Sequence, residues 1–221
     1  MQQDSQWCVH NHYTLQQFGL PDHISGSVLD IGCSAGGMSQ CFTPDQYLGI
    51  DCMLHTVRTA QKTYPLYNFA HFDQYHPTYN SRGQLTNSDL HTLGKFDWIF
   101  LRSVYTHMAF ESALAHLESV KGCLASGGSV YYTLWDLSDC EQFYHALRET
   151  FTDTTHVKPQ IPRASATYIT DYGQQTQDPS SADQTLCSFF DLAEFASRSG
   201  STLSHRVGNR VPHAQWVLIY K

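Results

Sequence analysis

Lysine and arginine are scarce in this chain, 13 together against 20 aspartates and glutamates, for a formal net charge of −7. No run of basic residues occurs. The chain therefore lacks the basic face that a nonspecific grip on a nucleic-acid backbone requires, and nucleic acid is not the expected partner. Long apolar runs are also missing. No stretch approaches the ~18 apolar residues that a bilayer crossing needs, so no membrane partner is expected. The start, Met1-Gln2-Gln3-Asp4-Ser5-Gln6-Trp7, has neither a basic residue nor an apolar run and does not read as a signal peptide. The seven cysteines (8, 33, 41, 52, 123, 140 and 187) are odd in number and never spaced C-x-x-C. That argues against a zinc ribbon or a disulfide frame and for reduced thiols in a cytoplasmic protein.

What is present is a globular chain. Hydrophobic residues make up 41% of the 221 positions and charged residues 15%, enough for one large domain with a sizeable core. Its organising stretch is Val28-Leu29-Asp30-Ile31-Gly32-Cys33-Ser34-Ala35-Gly36-Gly37. An apolar strand runs into small residues that neither a strand nor a helix interior favours. The pattern predicts a helix beginning near Gly36 and a turn that aims backbone N–H groups above the strand's end. Tyr47-Leu48-Gly49-Ile50-Asp51 follows as a second strand. Its closing acid lies about 20 residues after Gly32, where a nucleotide-binding βαβ unit carries its ribose-binding carboxylate.

Further along, a helix is expected over 53–63, ending before Pro65, and a third strand over 67–73. Residues 74–95 are polar and turn-rich. Phe96–Leu101 reads as a strand buried on both faces. Ala113, Leu117, Val120 and Leu124 line a helix stopping before Gly127-Gly128, with a fifth strand over Ser129–Leu134. Weaker helices are expected over 7–19, over 38–42 and around Phe143–Phe151. Residues 152–187 turn polar and are too long for a plain connection, so an insert or lid is expected. A helix from Ser188 to Ser199 and two strands near Leu203–Val207 and Gln215–Tyr220 close the chain. The whole predicts an α/β, doubly wound, Rossmann-like sheet of seven strands, mostly parallel with an antiparallel last strand. One domain, 1–221, divides into an N-terminal segment (1–26), a core (27–151), the insert (152–187) and the C-terminal helix and strand pair (188–221).

Asp30, Asp51 and Asp73 fall at or near the ends of successive strands. Each alone is as well explained by a helix cap or a turn. Together, behind a small-residue turn, they suit a ligand with a cationic amine, a ribose diol and an adenine amino group. Asp30 would orient the amine through the turn backbone or a water, Asp51 would take the ribose hydroxyls, and Asp73 the adenine amine.

Asp30-Ile31-Gly32-Cys33-Ser34-Ala35-Gly36 resembles the D-x-G-x-G-x-G turn of the class I S-adenosylmethionine-dependent methyltransferases, with Ser34 in place of the middle glycine. Tyr47–Asp51 and Phe69–Asp73 are similar to that family's second and third motifs. Phe96–Met108 resembles its F-D-x-I/V segment with the loop after it, and Leu124–Ser129 its L-x-x-G-G turn. The resemblance covers residues 28–135 well and the terminal strand pair loosely. It implies binding of S-adenosylmethionine and of its product S-adenosylhomocysteine by Asp30, Gly32, Cys33, Ser34, Gly36, Asp51, Cys52, Phe72, Asp73, Arg102 and Ser103. It also implies methyl transfer to a small-molecule oxygen, nitrogen or carbon. Rival readings are a methyltransferase acting on RNA or protein, and a noncatalytic relative that serves as a binding protein.

NAD is the runner-up cofactor, because Gly32-x-Ser34-x-x-Gly37 is a damaged G-x-G-x-x-G; Asp30 and Asp73 favour the methyl donor. The 13 histidines lack ligand spacing, and the segment after the fourth strand, Arg102–His107, holds no acid, so no metal is expected. Catalytic candidates are His107, as a proton acceptor, and Asp136. The plainer reading of His107 is a helix-entry residue bonding backbone, and Asp136 is readable as a base or a substrate anchor. Tyr13, Tyr105, Trp135, Tyr168 and His213 are candidates for walling an acceptor pocket.

Overall fold

The structure, a computed structural model, describes residues 14–139, 165–171, 184–208 and 215–221. The helix expected at Phe143–Phe151, most of 7–19, Tyr13 and His213 lie outside the described residues. Two compact units emerge. The first holds the described residues up to Arg102, with Glu118–Tyr131 and Lys221; the second holds Ser103–Leu117 and the described residues from Tyr132 to Tyr220.

The first unit carries β1 (Val28–Ile31), β2 (Tyr47–Asp51), β3 (Asn68–His71), β4 (Phe96–Leu101) and the first part of β5 (Leu124–Asp136), in the order β3-β2-β1-β4-β5. β1 pairs parallel with β2 and β4, and β2 parallel with β3. Every residue of β1 is buried, Asp30 included. Helix α1 (Leu54–Thr63) packs on β2 and β3 through Val57 and Ala60, while Leu54, expected on the same face, is exposed. Phe18, in a 3₁₀ turn over Leu15–Phe18, meets Phe100 of β4 edge-on at 5.1 Å. The helix expected after the glycine turn is only a 3₁₀ turn, Gly37–Cys41. Pro44 follows too soon for a longer element.

The second unit holds the rest of β5, with β6 (Ser165–Asp171), β7 (Gln184–Phe190), β8 (Thr202–Val207) and β9 (Gln215–Tyr220). β7 pairs parallel with the end of β5 and antiparallel with β6; β9 pairs with β5 and, antiparallel, with β8. The antiparallel last strand is thus as expected. The described strands outnumber the expected seven because the 152–187 stretch supplies β6 and most of β7. Polar alternation hid both. Ser188–Phe190 belongs to β7, and the helix is the shorter α3 (Leu192–Ser199), with the Asp191 carboxylate accepting from the Glu194 amide at 3.0 Å as its N-cap. Helix α2 (Phe110–Lys121) ends earlier than expected, and Gly127-Gly128 lies inside β5. A Cβ on Gly128 would stand 2.9 Å from the Asp97 carbonyl oxygen, so this glycine marks close backbone approach between strands and not a turn.

The core of the second unit is aromatic. Phe195, fully buried, meets the rings of Tyr105, Phe110, Tyr132 and Phe190. Arg198 makes a two-pronged bond to Glu111 and lies over the Phe110 ring. This pair is exposed and adds little; the rings carry the packing. Phe195→Ala is expected to cost about 3–5 kcal/mol. Urea unfolding checks this, and a loss below about 1 kcal/mol would contradict the packing described.

Candidate cofactor site

The site in the first unit is built on β1 and β2. Asp30 and Gly49 are partners in the parallel register, so their side-chain positions share a face with Tyr47 and Asp51. Gly49 leaves that face open: a Cβ there would sit 2.8 Å from the Tyr47 hydroxyl and 2.8 Å from the Phe69 ring. Through this gap the Tyr47 hydroxyl donates to Asp30 Oδ2 at 2.6 Å. Gly36, at φ 84°, is held where a Cβ would meet the Phe69 ring at 2.7 Å, so both its conformation and its contact require glycine. Ser34 takes φ 50° without being glycine. Its strain, about 1 kcal/mol for an L-residue in that region, is offset by its amide, which donates to Asp51 Oδ2 at 2.9 Å.

Asp51 is the hub of the turn. Its other oxygen, Oδ1, accepts from the Met53 amide at 2.8 Å, so one carboxylate ties the glycine turn to the start of α1. The Gly32 and Cys33 amides donate to the Ile50 carbonyl at 2.8 and 3.0 Å, and the Gly36 amide to the Cys33 carbonyl at 2.9 Å. The turn was expected to aim free N–H groups at a ligand. Those four amides are instead used inside the protein, and the five-residue 3₁₀ turn after them offers no real helix terminus. With these amides taken, the chemistry gathered at the turn is carboxylate, from the buried Asp30 and Asp51.

Burial pushes the Asp30 carboxyl up to about 7; the Tyr47 hydroxyl pulls it down, Asp51 adds to the rise and Arg102 counters it. Burial also raises Asp51, against the Met53 and Ser34 amides and the charges of His55 and His71. Cys33 is buried and its thiol is pushed up by burial, then by Asp30 and Asp51. Cys52 is pushed up to about 12, by burial first. Cys33 lies in the core, and Cys52 is half-buried.

The remaining expected cofactor residues divide. The Phe72 side chain is buried and its amide donates to the Asp51 carbonyl at 3.0 Å. Asp73 accepts from Asn80 Nδ2 at 2.9 Å, and its carbonyl takes the Leu85 amide at 2.9 Å, so it organises the loop that follows. Arg102 reaches Asp30 by its charge. Ser103 belongs to the second unit, where its amide donates to Thr133 Oγ1 at 2.8 Å and its hydroxyl meets the Gln215 amide. With φ 55°, it is a strained turn fastened by its own neighbours.

In the second unit, Tyr105 is fully buried, its hydroxyl 3.3 Å from His116 Nδ1. It is a core residue, not a pocket wall, because Tyr132 of β5 and Phe195 of α3 pack around it. Trp135 is buried as well and stacks on Phe189 at 5.4 Å, with the His107 ring edge-on to it at 6.0 Å. Asp136 Oδ1 accepts from the Ser138 amide at 3.0 Å. Tyr168 lies in β6, opposite Cys187 of β7. Sequence reasoning passed over Tyr47. The available signal was the alternation Tyr47, Gly49, Asp51, which puts a phenol, a gap and an acid on one strand face.

A family model described as a methyltransferase domain matches residues 10–199. The fold is similar to that of the PH0226 protein from Pyrococcus horikoshii (TM-score 0.59, 15% identity, 99% of this chain and 91% of that one covered). A SAM-dependent methyltransferase from Anabaena variabilis is similar too (TM-score 0.56, 14% identity, 93% and 81% covered). So is one from Methanosarcina mazei (TM-score 0.54, 15% identity, 94% and 96% covered).

The residues present fit S-adenosylmethionine. Two buried carboxyls, both pushed toward the neutral form by burial, favour a ligand that brings positive charge and hydroxyl donors. The same burial sets a pH dependence. Unfolded aspartates ionise near pH 4, and folded Asp30 near 7. Between these values the folded chain holds more protons than the unfolded one, so this contribution is whole below pH 4 and is lost as pH rises through 7. Denaturant unfolding should show stability falling from pH 5 to pH 8, and Asp30→Asn should flatten the fall. An equal fall in both proteins would contradict the burial of an uncharged Asp30.

Proposed function

Since the chain belongs to the class I, Rossmann-like S-adenosylmethionine-dependent methyltransferases, we propose that it methylates a small-molecule oxygen, nitrogen or carbon, with the donor held over the glycine turn. The observation that carries this reading is Asp51. It is buried at the end of β2, its two oxygens fixed by the Ser34 and Met53 amides, and each oxygen keeps a lone pair for a ribose hydroxyl. Asp30 is proposed for the amino end, and Asp73 for the adenine. The small-molecule acceptor is supported by the net charge of −7 and the lack of a basic run.

The bound donor supplies an electrophilic methyl on a sulfonium. The protein's part is to hold donor and acceptor in line, from which most of the rate gain arises. His107 is the proposed proton acceptor for a hydroxyl, with Asp136 as the second candidate. Tyr13, Trp135, Tyr168 and His213 are proposed for the acceptor side. Transfer is proposed to proceed without a metal, because Arg102–His107 offers no acid to hold one. Among the described residues, no helix is long and apolar enough to cross a membrane. Cys33, Cys41, Cys52 and Cys123 are free thiols, which supports a reducing, cytoplasmic setting.

Two substitutions separate binding from chemistry. Asp51→Ala removes charge-assisted bonds worth about 1.5–3 kcal/mol each, so calorimetry should show S-adenosylhomocysteine affinity falling at least about ten-fold. His107→Gln should leave that affinity unchanged while turnover, followed with labelled donor on a metabolite panel, falls by roughly 10²–10⁴. Equal affinity in Asp51→Ala and wild type would remove the site assignment. Wild-type turnover in His107→Gln would make His107 structural.

A further inference from the structure

The contact between Tyr47 and Asp30 is a buried polar bond set inside an aromatic cluster. The Tyr47 ring already packs among Phe42, Tyr67 and Phe69. Its hydroxyl does something separate: it reaches across the gap left by Gly49 to one oxygen of the buried acid at the head of the glycine turn. The phenol is itself held protonated, by burial first and then by the charge of Asp30, so it acts as a permanent donor. We propose that Tyr47 is a positioning residue for the donor's cationic end, its hydroxyl fixing the Asp30 carboxylate in the ionised form and in one orientation when the amine binds. This rests on reading the glycine turn as the S-adenosylmethionine site.

The groups that face Asp30 are few, and each element packed against it contributes. β2 brings Tyr47 and Asp51, the residues after β4 bring Arg102, and the turn and its 3₁₀ extension bring Cys33 and Cys41. Burial and Asp51 oppose ionisation; Tyr47 and Arg102 favour it. Both cysteine thiols are pushed up by burial and stay neutral, so they do not compete. A hydrogen bond to a charged acceptor is worth about ten-fold or more in an equilibrium constant. Removing it should move Asp30 ionisation up by about one pH unit. Amine-bearing ligands then bind less well near neutrality and recover at higher pH.

The test is calorimetry from pH 6 to pH 8.5 with two probes, S-adenosylhomocysteine and 5′-methylthioadenosine, which lacks the amino-acid end. In wild type, affinity for the first should rise with pH along a one-proton curve, while affinity for the second stays level. Tyr47→Phe keeps the ring. It should weaken S-adenosylhomocysteine about five-fold at pH 7, less at pH 8.5, and leave 5′-methylthioadenosine unchanged. Identical profiles in Tyr47→Phe and wild type would overturn the proposal while leaving the site intact. Equal weakening of both probes at every pH would also overturn it, since that is a packing effect. The wild-type curves alone decide the matter should Tyr47→Phe not fold, because two level curves contradict a titrating Asp30. Should wild type bind neither probe, the site reading itself falls.

Discussion

One carboxylate fixes the geometry on which the rest of the site depends. Asp51 spends one oxygen on the Ser34 amide and the other on the Met53 amide, and so locks the small-residue turn against the entry to α1. A backbone held in the left-handed region at Gly32, Ser34 and Gly36 would not stay so without such a clamp. The clamp has a cost: Asp51 is buried, and its ionised form is disfavoured. The same holds more strongly for Asp30 beneath it. A site that confines two carboxyls with few cations nearby is poised for a positively charged ligand. Coulomb attraction inside a low-dielectric pocket then repays part of the desolvation.

Much of this was legible in the sequence for a simple reason. The β1 turn and the β2 acid are local patterns, set by strand period and by glycine's freedom of backbone. Val28–Ile31, Tyr47–Asp51 and Phe96–Leu101 are strands as expected because each is an apolar run bounded by turn residues. The errors came where local pattern and tertiary demand diverge. Gly127-Gly128 has the look of a helix stop, yet these residues let β5 run close beside β4. Ser188–Phe190 fits a helical period, yet pairing with β6 makes it strand. Tyr105 has the chemistry of a pocket wall, and only the packing of Tyr132 and Phe195 around it shows that it is core.

The site was read as a set of acids, and its inner layer was missed. Asp73 and Ser103 matched the motif, but their polar groups are engaged in loop and turn contacts. Tyr47 opens the second-motif match but carries no role in it, and it donates to the Asp30 carboxyl at 2.6 Å. Motif matching finds positions that touch a ligand, whereas the groups that tune those positions come from neighbouring strands, where the spacing is a matter of register.

The central claim is that the donor is held on the Asp30–Asp51 face of the first unit, and a crystal structure with S-adenosylhomocysteine tests it most directly. The account predicts both ribose hydroxyls on the Asp51 carboxylate, with the Ser34 and Met53 amide bonds kept, and the ligand amine turned toward Asp30. A ligand bound elsewhere, or one whose ribose makes no contact with Asp51, would contradict it.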